Sequence, residues 1–157
     1  MKDKIVNLLL NKNINYTLIE HENNAYTCEN VSKERNIKLS QIVKCMITKD
    51  INNKIYVLMV PGDRKLKIKK IEKILGGTRI NLMESYEIIN KLNLTIGAIA
   101  PIQLIEKTNN FYMDNTIFNE KIIDISAGVL NAGIKLKTLD LEKVLNAKRC
   151  DIASNII

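Results

Sequence analysis

Two short stretches hold the residue types that could do chemistry. The first is QIVKCMIT, residues 41–48, where Lys44 stands among apolar and β-branched neighbours. Such a run reads as a buried or half-buried strand. Side chains alternate across a strand, so Lys44 shares a face with Ile42 and Met46, while Val43, Cys45 and Ile47 point the other way. A cation in that setting is either an edge lysine reaching for water or a group held in a cleft to meet an anion. The second stretch is Gly97-Ala98-Ile99-Ala100-Pro101, a GxxxP pattern. Its glycine lets a ligand approach the backbone. Its proline fixes the chain direction and leaves the amides of Ala98, Ile99 and Ala100 to do the bonding. A kinked strand end is the plainer explanation of the same spacing.

Other catalytic devices find little support. The one histidine, His21, lies in a polar loop, and no GxSxG elbow is present to pair with it. The three cysteines, Cys28, Cys45 and Cys150, are far apart, with no CxxC spacing. That argues against a disulfide framework and against zinc, so no metal and no cofactor are expected. Cys28 sits at an expected helix start, where a thiol can become acidic, but a buried first-turn cysteine fits as well. Cys45 faces away from Lys44.

The elements that must position these groups follow from periodicity. Residues 2–11 form a first helix with Ile5, Leu8 and Leu9 on one face. Residues 16–20 form a short strand, and 21–26 a polar loop. Thr27 caps a helix over 28–36. The Lys44 strand and KIYVLMV, residues 54–60, make a hairpin. After Pro61-Gly62-Asp63 comes a Lys-rich amphipathic helix over 66–75, stopped by Gly76-Gly77. A brief strand over 78–81 and a helix over 84–92 lead into the GxxxP segment. Short strands are expected at 102–105, 111–114, 122–125 and 134–137. Ser126-Ala127-Gly128 makes a turn, and Thr138 caps a last helix over 139–145. This pattern is α+β: a mixed, strongly curved, barrel-like β-sheet flanked by helices, in one domain spanning 1–157.

Composition narrows the partners. A net charge of +7 favours an anionic partner, nucleic acid being the usual one, although an AT-rich coding sequence also inflates Lys and Asn. Aromatics make up only 4%, which speaks against a base-stacking platform and for a phosphate reader. Arg64, Lys65 and Lys67 at the start of the Lys-rich helix are the expected phosphate contacts. No run approaches the ~18 apolar residues of a membrane span. The basic, apolar N-terminus lacks a small-residue cleavage site, so the expected location is the cytosol.

Six pieces together carry a resemblance: VKCMI around Lys44, YVLMVPGDRKLKIKKI at 56–71, IGAIAPI at 96–102, FYMD at 111–114, ISAG at 125–128 and GIKLKTLDLEKVL at 133–145. In this order the chain resembles the YbaK-like family of aminoacyl-tRNA deacylases, which includes the editing domain inserted in bacterial prolyl-tRNA synthetases. The resemblance implies a free-standing hydrolase that cleaves the ester between a small amino acid (Cys, Ala or Ser) and the 3′-terminal adenosine of a mischarged tRNA. A synthetase is a further implied partner. It makes Lys44 the essential lysine at the tRNA end, and Gly97 and Pro101 the frame of the site. Ala98, Ile99 and Ala100 would line a small pocket, and Ser126 and Gly128 the same cleft. Tyr26 and Thr27 precede the second helix, where the family often has a threonine. An aminoacyl ester is already activated, so no protein nucleophile is required. Lys44 would clamp a terminal phosphate while backbone groups of 97–101 orient a water and stabilise the oxyanion. A non-catalytic tRNA- or synthetase-binding module of the same fold is the second reading. A DNA-binding regulator is the third, without a helix-turn-helix or zinc-finger pattern behind it.

Overall fold

The hairpin at the centre explains the architecture. In the computed structural model, which describes residues 2–157, strand β2 (Val43–Asp50) pairs antiparallel with β3 (Ile55–Pro61) over seven residue pairs, Lys44 lying opposite Val60. Met1, the first residue of the expected domain, lies outside the described residues. β3 is apolar without interruption because both its faces are covered. Val57 and Met59 point into the larger core, and Tyr56, Leu58 and Val60 into a smaller one.

Two sheets part from β2. The five-stranded sheet has the order β4-β2-β3-β5-β8, with β4 at Ile80–Leu82, β5 at Phe111–Asp114 and β8 at Lys148–Cys150. β5 runs parallel to both β3 and β8, so the sheet is mixed. The three-stranded antiparallel sheet has the order β1-β7-β6, with β1 at Tyr16–Glu20, β6 at Ile122–Ser126 and β7 at Ala132–Lys137. An isolated parallel bridge, Ile42 to Asp124, links the two at the start of β2. The α+β class and the mixed strands are as expected, but the hydrogen-bond ladder forms two sheets and does not close into a barrel. β4 claims the outer edge of β2 at Thr48–Asp50, and the bridge to β6 is at the opposite end. Both therefore share one edge of β2.

Among the described residues five helices flank the sheets: α1 (Lys2–Asn11), α2 (Cys28–Arg35), α3 (Ile68–Ile74), α4 (Ser85–Leu92) and α5 (Thr138–Leu145). α1, α4 and α5 bury Ile5, Leu9, Ile88, Leu92, Leu141 and Leu145 in the larger core with β6 and β7. α3 closes the smaller core through Ile71. It begins two residues later than its periodicity suggests, because Leu66 bridges to Ala153 of the C-terminal segment. Residues Pro101–Leu104 form a 3-10 turn where a strand was expected, with proline opening the turn at the position where its missing N–H costs nothing. Thr138 is the first residue of α5 and not its cap, its hydroxyl donating to the Glu120 carbonyl. β8 has no counterpart in the expected elements. No helix among the described residues is long and apolar enough to cross a membrane.

Candidate active site

The cleft opens where the two sheets part. It has a volume of about 350 Å³ and brings together Tyr26, Thr27, Lys44, Gly97, Ile99 and Ser126. These come from four separate parts of the chain.

Lys44 lies on the face of β2 that alternation predicts. Cys45 and Ile47 pack on the larger core, and Met46 on the smaller one. The Lys44 ammonium donates to the backbone carbonyl of Arg64. An ammonium has three donors, so this contact fixes its direction and leaves two for a ligand. The carbonyl is itself held in place. Arg64 Nη1 donates to the Ser154 carbonyl at 3.0 Å, and the Lys65 amide to Ser154 Oγ at 3.0 Å. Behind them, Asp114 Oδ1 accepts the amides of Ile152 and Ala153, each at 2.8 Å. The tail thus braces the loop that orients Lys44. It also occupies the Arg64 guanidinium, expected at a phosphate, while Lys65 and Lys67 are exposed.

Gly97 occupies a tight turn. The Ala98 amide donates to the Thr95 carbonyl at 3.0 Å, and Gly97 has φ +84, a conformation that side chains resist. A Cβ there would stand 3.2 Å from Leu130 Cδ2 and 3.7 Å from the Tyr26 ring. Tyr26 is brought over by its loop, whose Ala25 amide donates to the Leu130 carbonyl at 2.9 Å, and it remains 62% exposed. Thr27 caps α2 as expected, its Oγ1 accepting the Asn30 amide at 3.1 Å.

Part of the expected site lies elsewhere. Ala98, Ala100 and Pro101 are buried outside the cleft lining, and Ala100 packs in the larger core. The amides of Ala98 and Ala100 are committed, to Thr95 and to Gln103 Oε1 at 2.9 Å. Of the three amides expected to serve a ligand, only that of Ile99 lacks a protein acceptor among the described residues. Gly128 is buried beside the cleft, its amide donating to Ser126 Oγ at 3.1 Å.

The cleft also holds a pair that the sequence did not announce, Arg35 and Asp124. Arg35 leaves the end of α2 on the same face as Val31 and is 7% exposed; Asp124 on β6 is 1% exposed. Arg35 Nη1 forms an ion pair with Asp124 Oδ1, and Nη2 donates to the Ala132 carbonyl at 2.9 Å. Its Nε donates to His21 Nε2 at 3.3 Å. His21 therefore bears its proton on Nδ1 and donates it to the Asn23 carbonyl at 2.7 Å. The single histidine buttresses the arginine and is no part of a nucleophilic pair. Burial pushes the Asp124 carboxyl up to about 6 against the pull of Arg35. The available signal was a lone carboxylate in an apolar run, IIDIS, the same kind of signal that singled out Lys44.

The thiols are unsuited to attack. Burial raises Cys28, although Lys44 draws it down, and burial pushes Cys45 up to about 12. What remains is a cationic lysine, a free amide and polar groups around a small cleft, suited to binding an anionic ester and admitting water.

The family model described as aminoacyl-tRNA editing domain matches residues 22–144. The chain belongs to that family. This confirms the resemblance carried by VKCMI and IGAIAPI. It also makes the chain, by class, a hydrolase of aminoacyl esters. Among the family's curated proteins, the Prolyl-tRNA editing protein ProX of Acetoanaerobium sticklandii is 26% identical over 93% of this chain and 91% of its own. The Multifunctional Ser/Thr-tRNA deacylase ProXp-y of Escherichia coli is 26% identical over 90% and 86%. The Proline--tRNA ligase of Thermosipho africanus is 32% identical over half of this chain, which corresponds to 14% of the ligase. The crystal structure of hypothetical protein APE2540 shares the fold of this editing domain, with a TM-score of 0.87 at 20% identity over 96% of this chain and 99% of its own.

Proposed function

We propose that the chain, acting as one domain over residues 1–157, is a free-standing editing deacylase. It hydrolyses the ester of a tRNA mischarged with a small amino acid, of the Cys, Ala or Ser class. One observation carries the proposal: Lys44, Gly97, Ile99 and Ser126, distant in sequence, line one cleft. Its volume of about 350 Å³ is near the lower end of the roughly 300–1,000 Å³ of ligand clefts. Tyr26, Val31, Met46 and Ile99 are among the side chains that bound it, and so small a space favours a small side chain.

In this reading the two free donors of Lys44 hold a phosphate or ester oxygen at the tRNA 3′ end. The Ile99 amide serves the developing oxyanion, in place of the three amides the GxxxP pattern suggested. Water attacks the ester carbonyl, and the terminal ribose leaves as the alcohol. The carbonyl that holds Lys44 belongs to Arg64, and the exposed Lys65 and Lys67 follow directly. A basic path therefore leads from the cleft along the acceptor end, where each phosphate contact adds a salt-dependent share of binding.

An editing site of this kind serves a synthetase whose own pocket gains only ~1–3 kcal/mol per methylene and so admits smaller amino acids. The test is deacylation of tRNAs charged with Ala, Cys, Ser and Pro by wild type and Lys44→Ala. Rapid loss of one or two is expected, reduced about 10²-fold or more in the variant, as for removal of an oxyanion donor. Undiminished activity in Lys44→Ala refutes the role of the lysine. Intact tRNA binding without hydrolysis of any charged tRNA makes the chain a binding module.

A further inference from the structure

Asp124 carries an oxygen that nothing among the described residues uses. Its Oδ1 is taken by Arg35, but Oδ2 is buried and has no hydrogen-bond partner among the described residues. The residue lines the cleft. Leaving a buried charged acceptor unpaired is costly, so native structures keep such an atom mostly where something else supplies the donor. Among the described residues no neighbour supplies it. The Arg35 donors are distributed over Asp124, Ala132 and His21. Lys135 lies opposite Asp124 in the β6–β7 register, where side chains share a face; its charge attracts the carboxylate, but it donates no hydrogen bond to it.

We propose that Asp124 Oδ2 receives the α-ammonium group of the aminoacyl ester. The assignment rests on the deacylase reading above and names a contact for it. Of the groups at a charged tRNA end, phosphates and ribose hydroxyls carry no positive charge. The α-ammonium is compact, has three donors and sits next to the reacting carbonyl. Alternation on β6 supports the placement: Ile123 and Ile125 enter the core, while Asp124 and Ser126 face the cleft together. With the ammonium on Oδ2, the ester carbonyl carbon falls within ~6 Å, one hydrogen bond and two covalent bonds away. The carboxyl, raised to about 6, is largely ionised at neutral pH, and a bound cation holds it so. Arg35 and His21 keep the carboxylate pointed. A tRNA whose amino group is acylated lacks this contact and is passed over, which protects peptidyl-tRNA from the enzyme.

The experiment compares alanyl-tRNA with lactyl-tRNA, in which a hydroxyl replaces the ammonium without added bulk. If the panel shows another amino acid to be cleaved fastest, the corresponding pair is used. Each rate is divided by the spontaneous rate of the same ester, because the ammonium itself labilises it. Wild type is expected to favour the amino ester about 10- to 100-fold, the range for a hydrogen bond to a charged group. Asp124→Asn, which keeps the shape but offers an amide, is expected to reduce that preference to within about threefold. Equal corrected rates for the two esters in wild type overturn the assignment, as does a preference that persists in the variant. Should the variant fail to fold, N-acetylalanyl-tRNA with wild type decides: it resists cleavage if the assignment holds and is cleaved like alanyl-tRNA if not. Cleavage of no ester above its spontaneous rate is a different result, which removes the deacylase reading itself.

Discussion

A methyl group placed at Gly133 tests the buried pair without substituting either member. The glycine lies beneath the Arg35 guanidinium on β7. A Cβ would stand 2.1 Å from Nη1, 2.4 Å from Cζ and 2.8 Å from Nε. A guanidinium at the end of a long side chain ordinarily swings aside at little cost. Here it is buried and holds three acceptors, so leaving strands Asp124 as an uncompensated carboxylate. Breaking a buried pair in that way costs about 3–5 kcal/mol. For a chain of this size each kcal/mol lowers Tm by about 2–4 °C, giving a fall of about 6–20 °C in Gly133→Ala. Gly76→Ala is the control. Unlike Gly133, that glycine has a left-handed backbone, φ +72, but nothing among the described residues lies within 4 Å, so about 1 kcal/mol is expected. The effect also has a pH signature. Without Arg35 the Asp124 carboxyl rises above its present value of about 6, so between the unfolded value and that raised value the native state binds more protons. Stability then falls as pH rises. The loss in Gly133→Ala is therefore smaller at pH 5 than at pH 8. Denaturant unfolding at both pH values measures it. A loss no larger than that of Gly76→Ala at pH 8, or one that does not shrink at pH 5, refutes the account.

Three further outcomes are expected. Hydrogen bonds from Lys49 and then Lys91 hold the Glu87 carboxyl down to about 2, so its contribution is complete above about pH 4.5 and lost as pH falls towards 2; Glu87→Gln should flatten the acid limb of the stability profile there. Although burial alone would raise it, hydrogen bonds from Thr116, Ile152 and Ala153 keep Asp114 below the usual carboxylate range. Asp114→Ala should cost about 3 kcal/mol and speed hydrogen exchange at residues 152–154 together with that of Lys65, whose amide the tail holds. Removing both Lys65 and Lys67 should lessen the slope of log affinity for tRNA against log salt by about 1.4–1.8, if each neutralises one phosphate; an unchanged slope places the acceptor end elsewhere.

What could be read in the sequence was whatever periodicity records. The hairpin of β2 and β3, the facing of Lys44 with Met46, and the cap on α2 are local patterns, and the structure has them. β8 was not legible because Lys148-Arg149-Cys150 has no apolar alternation and exists only as an edge added to β5. The 3-10 turn that Pro101 opens looks like a strand in sequence, because a four-residue apolar run does not reveal its period. The pattern that suggests a pocket at Ala98 and Ala100 equally suits a core, which is where Ala100 lies. The Arg35–Asp124 pair joins residues 89 apart, and only the fold brings them together.

The two sheets part at the cleft, yet one core lies beneath both of them. Val43 and Ile47 of β2, Met113 of β5, Ile123 and Ile125 of β6 and Ile134 of β7 all belong to it. The walls are thus welded at their base, and the opening does not widen by one sheet swinging from the other. Adjustment to a new amino acid falls to the lining: Tyr26, mostly in solvent, and Met46 and Ile99, half-buried. A lineage can exchange those three side chains as interchangeable inserts in a fixed socket, with Lys44 and its brace inherited unchanged. The socket and the inserts are thus separate parts of the design: one sets the shape, the other the space left for a ligand.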